Sequence, residues 1–304
     1  MRVVFAGTPE VATSALNQLV ASRHEVVGVI TREDAPLGRK RVLTPSPVAT
    51  LADEHGIPVV KANRLTEEVT EWVRERNADL GVVVAYGGLL KSALLETPRL
   101  GWVNLHFSSL PRWRGAAPVQ RALMNGEQEL GLSVFRLVEA LDAGDIVANA
   151  TVRFEPGTTA GAALEALAVE GGPLILQALE TLETNPEAGT AQAGEVNYAH
   201  KLERGDGKLD PTESVESFMA HWAGVTPEPG AFVLADGEPV KLHEIRAGET
   251  EAPLVAGTAR IVGKRALLGT ASGPVELVRV QPAGKGAMDG AAWLRGRGGE
   301  QVIS

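Results

Sequence analysis

The sequence predicts an α/β fold, built on a mostly parallel sheet and followed by a small closed β-barrel. Three observations carry this expectation. The apolar run Arg2–Ala6, a helix-length stretch and the apolar run Glu25–Ile30 make strand, helix, strand in about 30 residues, and such βαβ units build parallel sheets. Leu80–Ala85 (L-G-V-V-V-A) is apolar throughout, as a central strand covered on both faces must be. After Pro227 the texture changes to about five short strands separated by glycine, the pattern of a small barrel.

Gly7-Thr8-Pro9-Glu10 turns the first strand into a helix expected to reach about Arg23. Thr8 can cap it, Pro9 suits the first helical position and Glu10 suits the positive helix end. The turn is not G-x-G-x-x-G, which weakens a dinucleotide reading. In the loop Thr31–Pro47, Arg32, Arg39, Lys40 and Arg41 outweigh Glu33 and Asp34. Such a basic loop is either solvated surface or a grip on a phosphate backbone. Helices are expected at Ala49–His55 and Thr66–Arg76, with a strand at Ile57–Lys61 between them. Tyr86-Gly87-Gly88-Leu89 leaves the central strand at the edge where open α/β sheets bind ligands.

Trp102–His106 is the next strand and Ala117–Met124 a helix. Leu132–Leu137 alternates like an edge or antiparallel strand. Leu141–Ile146 is a tight turn leading into a strand that ends near Phe154, and a helix over Gly157–Glu183 closes the first domain. Asn185–Asp210 is polar with Pro and Gly, and reads as a linker crossing the surface. Ser214–Trp222 is a short helix. Phe232–Leu234, the Asp236-Gly237 turn and Val240–Ile245 form a hairpin. Val255–Val262, Ala266–Thr270 and Val275–Val280 supply further strands.

A chain of 304 residues has room for one large or two ordinary domains, and 44% hydrophobic content points to a soluble globular protein. A net charge of −9 argues against bulk coating of nucleic acid but leaves room for a local basic patch. The absence of cysteine excludes disulfides and thiolate metal sites. No His, Asp or Glu cluster has metal-ligand spacing. The chain starts on a strand rather than a leader-like segment, and no apolar run reaches membrane-span length, roughly 18 residues. The cytoplasm is the expected compartment.

The densest chemistry lies in Trp102–Pro118, W-V-N-L-H-F-S-S-L-P-R-W-R-G-A-A-P. Asn104 and His106 are two apart on a strand, so both project on one side. Between Thr97 and Gly126 stand Arg99, Arg112, Arg114 and Arg121, with no Asp or Glu. An amide donor, an imidazole and a cationic rim suit a polarised carbonyl and an anionic partner. The plain alternative is a hydrogen-bonded structural histidine. Asp142 or Asp145 opposite His106 would give an acid–imidazole pair, though turn chemistry alone also explains both.

Five segments together resemble the methionyl-tRNA formyltransferase family over nearly the full chain: F-A-G-T-P-E at 5–10, the basic loop ending T-P-S-P at 44–47, N-L-H-F-S-S-L-P-R-W-R-G-A-A-P at 104–118, L-D-A-G-D-I at 141–146 and Y-A-H-K-L at 198–202. The resemblance implies a Rossmann-like, mostly parallel formyltransferase domain at 1–189, a linker at 190–209 and an OB-like, tRNA-binding barrel at 210–304. It implies 10-formyltetrahydrofolate as co-substrate with no metal, initiator methionyl-tRNA as partner, and a monomer acting away from membranes. Asn104, His106 and Asp142 would then be the catalytic trio. Ser108, Ser109, Leu110 and Pro111 would contact folate. Arg39, with Lys40 and Arg41, would contact tRNA.

In the implied acyl transfer, the α-amine of the methionyl ester attacks the formyl carbon and the carbonyl oxygen becomes negative. Asn104 can donate an amide hydrogen bond to that oxygen, and His106 a ring N–H. Asp142 would favour the charged form of His106 and could take the ammonium proton. From Val255 to Ser304 seven basic residues face three acidic ones, so the barrel would add a basic surface. Rival readings are a formyltransferase acting on a small amine such as an amino sugar, a catalytically inert RNA-binding protein, and a nicotinamide oxidoreductase lacking its glycine fingerprint.

Overall fold

The first apolar run becomes β1 (Arg2–Gly7), buried along nearly its whole length. The computed structural model describes every residue except Arg39 and Ala252, so the expected tRNA contact at Arg39 lies outside the described residues. A 3-10 turn over Glu10–Ala12 precedes α1 (Thr13–Val20), which stops short of the expected Arg23. The turn delays the helix proper, so Thr8 is out of capping reach. Its hydroxyl instead donates to the Tyr86 carbonyl at 3.3 Å.

After β2 (Glu25–Thr31) the basic stretch is a hairpin of β3 (Ala35–Leu37) and β4 (Val42–Thr44). Lys40 and Arg41 are exposed near its tip, as are Leu37, Val42 and Leu43. Next come α2 (Pro47–Glu54), capped by Ser46, then β5 (Val59–Lys61), α3 (Glu67–Glu75), β6 (Leu80–Val84), α4 (Ser92–Leu95) and β7 (Trp102–His106). The two-residue β8 (Arg114–Gly115), α5 (Pro118–Met124), β9 (Glu129–Arg136), β10 (Ile146–Arg153) and α6 (Ala160–Thr184) follow. The polar stretch after α6 contains β11 (Tyr198–Ala199), which pairs in parallel with β8.

The main sheet has the order β10-β9-β7-β6-β1-β2-β5. β5, β2, β1, β6 and β7 are parallel, and β9 runs antiparallel to β7. The chain winds from β1 to one side through β2 and β5, then returns to the other side through β6 and β7. That reversal falls between β1 and β6, one strand from β7, and open α/β sheets bind ligands at the carboxyl ends of the strands beside such a reversal. On one face Trp102, Val83 and Val4 pack with Val69 and Val73 of α3. On the other, Gly171 and Gly172 of α6 lack the methyls that would collide with Leu105 and Gln18. Against the sequence expectation, α6 is long and apolar enough to cross a membrane, but half of its apolar window is buried in the fold. Glu165, Glu170, Glu180 and Glu183 had broken it up as a consecutive apolar run.

The chain divides into two compact units: 1–118, 130–152 and 164–199 in the first; 119–129, 153–163 and 200–304 in the second. The second contains α7 (Val215–Gly224), β12 (Phe232–Ala235), β13 (Glu238–Ala247), β14 (Thr258–Val262), β15 (Arg265–Gly269), β16 (Pro274–Pro282), β17 (Met288–Asp289), α8 (Gly290–Arg295) and β18 (Glu300–Val302). Its sheet runs β12-β13-β16-β15-β14-β18, with β17 on β16. Leu234 and Ser304 exchange backbone hydrogen bonds of 2.8 and 2.9 Å, which closes the curl beside β12. Asp236 and Gly237 both take positive φ, as a D-G hairpin turn requires. Phe218 and Trp222 of α7 and Trp293 and Leu294 of α8 fill the core. The sequence reading had no helix at α8; its start is set by Asp289, whose side chain accepts from the Ala292 N–H at 2.7 Å.

Candidate active site

β7 sends Leu105 to the α6 side of the sheet, and therefore Asn104 and His106 to the opposite side. Asn104 is half-buried, and its side-chain amide has no hydrogen-bond partner among the described residues. His106 is buried and meets the Phe135 ring edge-on, with centroids 6.3 Å apart. Its Nε2 lies 2.8 Å from the Trp113 carbonyl oxygen. A carbonyl only accepts, so in the neutral ring Nε2 carries the proton and Nδ1 the lone pair. Nδ1 faces Asp142 Oδ2 at 4.0 Å, beyond hydrogen-bond length. The side chains of His106 and Asp142 are 7% and 11% exposed. Asp142 Oδ2 accepts the Gly115 backbone N–H at 2.8 Å.

Burial pushes the His106 imidazole below its ordinary 6.5; the Asp142 charge and the Trp113 carbonyl pull the other way and lose. Asp142 does favour the charged form of His106, as the sequence led us to expect, but it does not win. Desolvation of a ring this deep outweighs a carboxylate that is a gap away and already engaged by Gly115.

Beyond His106 the chain forms a braced ledge. Ser108 Oγ donates to the Arg112 carbonyl at 2.6 Å, Ser133 Oγ to the Ser108 carbonyl at 2.7 Å, and the Leu110 N–H to Ser133 Oγ at 3.2 Å. Gly131 lies beneath it: a methyl there would collide with Ser109 N and Oγ. Leu110 and Pro111 are buried and Ser109 is exposed.

Of the four arginines expected to form a cationic rim, Arg112 and Arg114 flank Trp113 beside the site, while Arg99 and Arg121 are drawn to acidic partners elsewhere. Arg99 pairs with Asp79 at 2.7 Å, by the amino end of β6 and away from His106. Arg121 pairs with Asp206 at 3.2 Å, Arg112 lies over the Trp113 ring, and Arg114 binds Gln192. Nearness in sequence had grouped Arg99, which lies before β7, with arginines that follow it.

Sequence reasoning missed the supports of the site. Gln192 Nε2 donates to the carbonyls of Asp142 and Gly144, both at 2.8 Å, and its Oε1 accepts from Arg114 Nη2 and Nε at 2.6 and 3.2 Å. Asn197 Oδ1 accepts the Trp113 N–H. Both residues fall in the stretch expected to be linker. The Y-A-H-K-L segment flagged the neighbourhood, but no local pattern flagged these two. Three non-glycine residues here hold positive φ: Ala85 at 48°, Trp113 at 60° and Asp142 at 46°. Such backbone persists only where its surroundings fix it. Among the described residues, no group of three or more His, Asp or Glu side chains is arranged for a metal.

Comparison with known proteins gives consistent results. The formyl transferase family model matches residues 1–179, and the model of the formyl transferase C-terminal domain matches residues 201–298. A methionyl-tRNA formyltransferase of Leifsonia xyli subsp. xyli is 54% identical over 304 residues, covering 100% of each chain. A methionyl-tRNA formyltransferase structure from Clostridium thermocellum aligns with TM-score 0.57 at 15% identity, covering 84% of this chain and 96% of its own. An N-formyltransferase from Helicobacter canadensis, in complex with folinic acid and dTDP-3-aminofucose, aligns with TM-score 0.69 at 14% identity, covering 92% and 98%.

Proposed function

Because this chain belongs to the formyl transferase family, we propose that it transfers the formyl group of 10-formyltetrahydrofolate to the α-amino group of initiator methionyl-tRNA. The observation that carries this reading is the 54% identity to a methionyl-tRNA formyltransferase along the whole of both chains, barrel included. The amino-sugar alternative rests on a shared fold at 14% identity.

The residues of the site fit this reaction. The amine nitrogen bonds to the formyl carbon, negative charge gathers on the formyl oxygen, and the carbon–N10 bond then breaks. Asn104 is the donor for that oxygen, since its amide is uncommitted and the ring N–H of His106 is engaged by Trp113. His106, neutral at rest, takes the ammonium proton at Nδ1. The imidazolium then lies between the Trp113 carbonyl and the Asp142 carboxylate, both of which favour it. From there the proton passes to the departing N10, so tetrahydrofolate leaves neutral at that atom. The ledge Ser108, Ser109, Leu110 and Pro111 borders the site where folate would lie. Lys40 and Arg41 offer charge to tRNA phosphates, and Arg39 is assigned to the same contact. We place the reaction in the cytoplasm, carried out by a monomer.

The test is formyl transfer to charged initiator tRNA, with His106→Ala alongside. The expected result is transfer by the native protein and a loss of about 10² or more in the variant. Native protein that ignores methionyl-tRNA but formylates an amino-sugar nucleotide would overturn the reading.

A further inference from the structure

We propose that Gln192 is a positioning residue for catalysis, holding the Asp142 turn in register with His106. The inference rests on the catalytic reading above. Gln192 has two side-chain N–H donors and two acceptor lone pairs, and all four are used. The donors go to the carbonyls of Asp142 and Gly144. The acceptors take the two N–H groups of Arg114. A side chain saturated in this way has nothing left for substrate, so its role is to hold protein in place.

What it holds is conformationally strained. Asp142 sits at φ 46°, a region a non-glycine residue keeps only when fixed from outside. The carboxylate of the same residue must stay against Gly115 N and facing His106. Arg114, on the other side of Gln192, precedes Gly115 in the chain. One amide therefore ties the backbone that carries the carboxylate to the side chain of the residue next to Gly115. Without it the Asp142 turn is free to relax toward negative φ, and a carboxylate displaced by about 1 Å is enough to cost on the order of 10² in rate.

The experiment compares Gln192→Ala and Gln192→Glu with the native protein in full steady-state kinetics, thermal melts and an NMR titration of the His106 ring. Glu retains the acceptors for Arg114 but sets a carboxylate against the Asp142 and Gly144 carbonyls, so it isolates the donor half. In both variants kcat is expected to fall by roughly 10- to 100-fold, with KM for both substrates within about 3-fold. In Gln192→Ala, which adds no charge, the His106 titration is expected to move to lower pH as Asp142 drifts away. The titration needs no substrate, so it tests Gln192 even if the native protein were found to formylate another amine. An unchanged titration with native kcat, a loss confined to KM, or unfolding of both variants would each overturn the proposal, the last by making Gln192 structural only.

Discussion

At the scale of single residues, the site is governed by where protons sit. Asn104→Ala removes an uncommitted amide donor, and kcat is expected to fall by about 10²–10³ with melting temperature nearly unchanged. His106 must be neutral to act as a base, so kcat is expected to rise with pH along a limb lying below 6.5 and to be flat at neutral pH. Asp142→Asn removes a charge that raises the His106 value, so the limb moves to lower pH while the plateau drops, which a pH–rate profile of both proteins checks. The same shift bears on stability. The folded value lies below the unfolded one, so the unfolded chain takes the proton first. Stability is full above 6.5 and falls as pH drops beneath it. Thermal melts of native protein and His106→Asn across that range should diverge on this account, the variant being flatter. The pairing of Asn104 with His106 was legible in sequence because strand alternation is a local rule. The charge state of His106 was not, because burial is set by residues far along the chain.

At the scale of elements, β9 supports the ledge it runs beneath. Gly131→Ala puts a methyl into Ser109 N and Oγ, which is expected to lower stability by about 1–3 kcal/mol. It should also raise KM for the folate substrate more than KM for tRNA; equal effects on both would separate the ledge from folate. The strands of the parallel sheet, the β7 segment and the D-G hairpin of the barrel were readable because apolar runs and turn residues mark them directly. The capping role read for Thr8 failed because an intervening 3-10 turn has no such mark. Gln192 and Asn197 were unreadable for a different reason: their partners, Asp142 and Trp113, lie 50 and 84 positions away. Tertiary hydrogen bonds of that span leave no periodicity in a sequence.

At the scale of the whole molecule, an acidic chain must bind a polyanion through local charge. In the second unit Arg260, Arg295 and Arg297 are matched by Glu300, Asp289 and Asp236, while exposed Lys264, Arg265, Arg279 and Lys285 have no acidic partner among the described residues. With Lys40 and Arg41 of the hairpin, these are the cations expected to displace counterions from tRNA. The logarithm of KM for tRNA should then climb steeply with the logarithm of salt, by about 0.7–0.9 per phosphate neutralised. A flat dependence between low and moderate salt would remove them from the interface. The β8–β11 pairing has a consequence in time as well as in space. The segment that braces Trp113 and Gly115, Asn197 with β11, is made more than 80 residues after them, so a chain emerging from the ribosome can complete its parallel strands β1, β2 and β6 long before the imidazole and carboxylate are aligned. Contacts of such long sequence separation form late. Refolding followed by far-ultraviolet dichroism should therefore recover ahead of formyl transfer, and every nascent copy should pass through a stage with a sheet in place and no working centre.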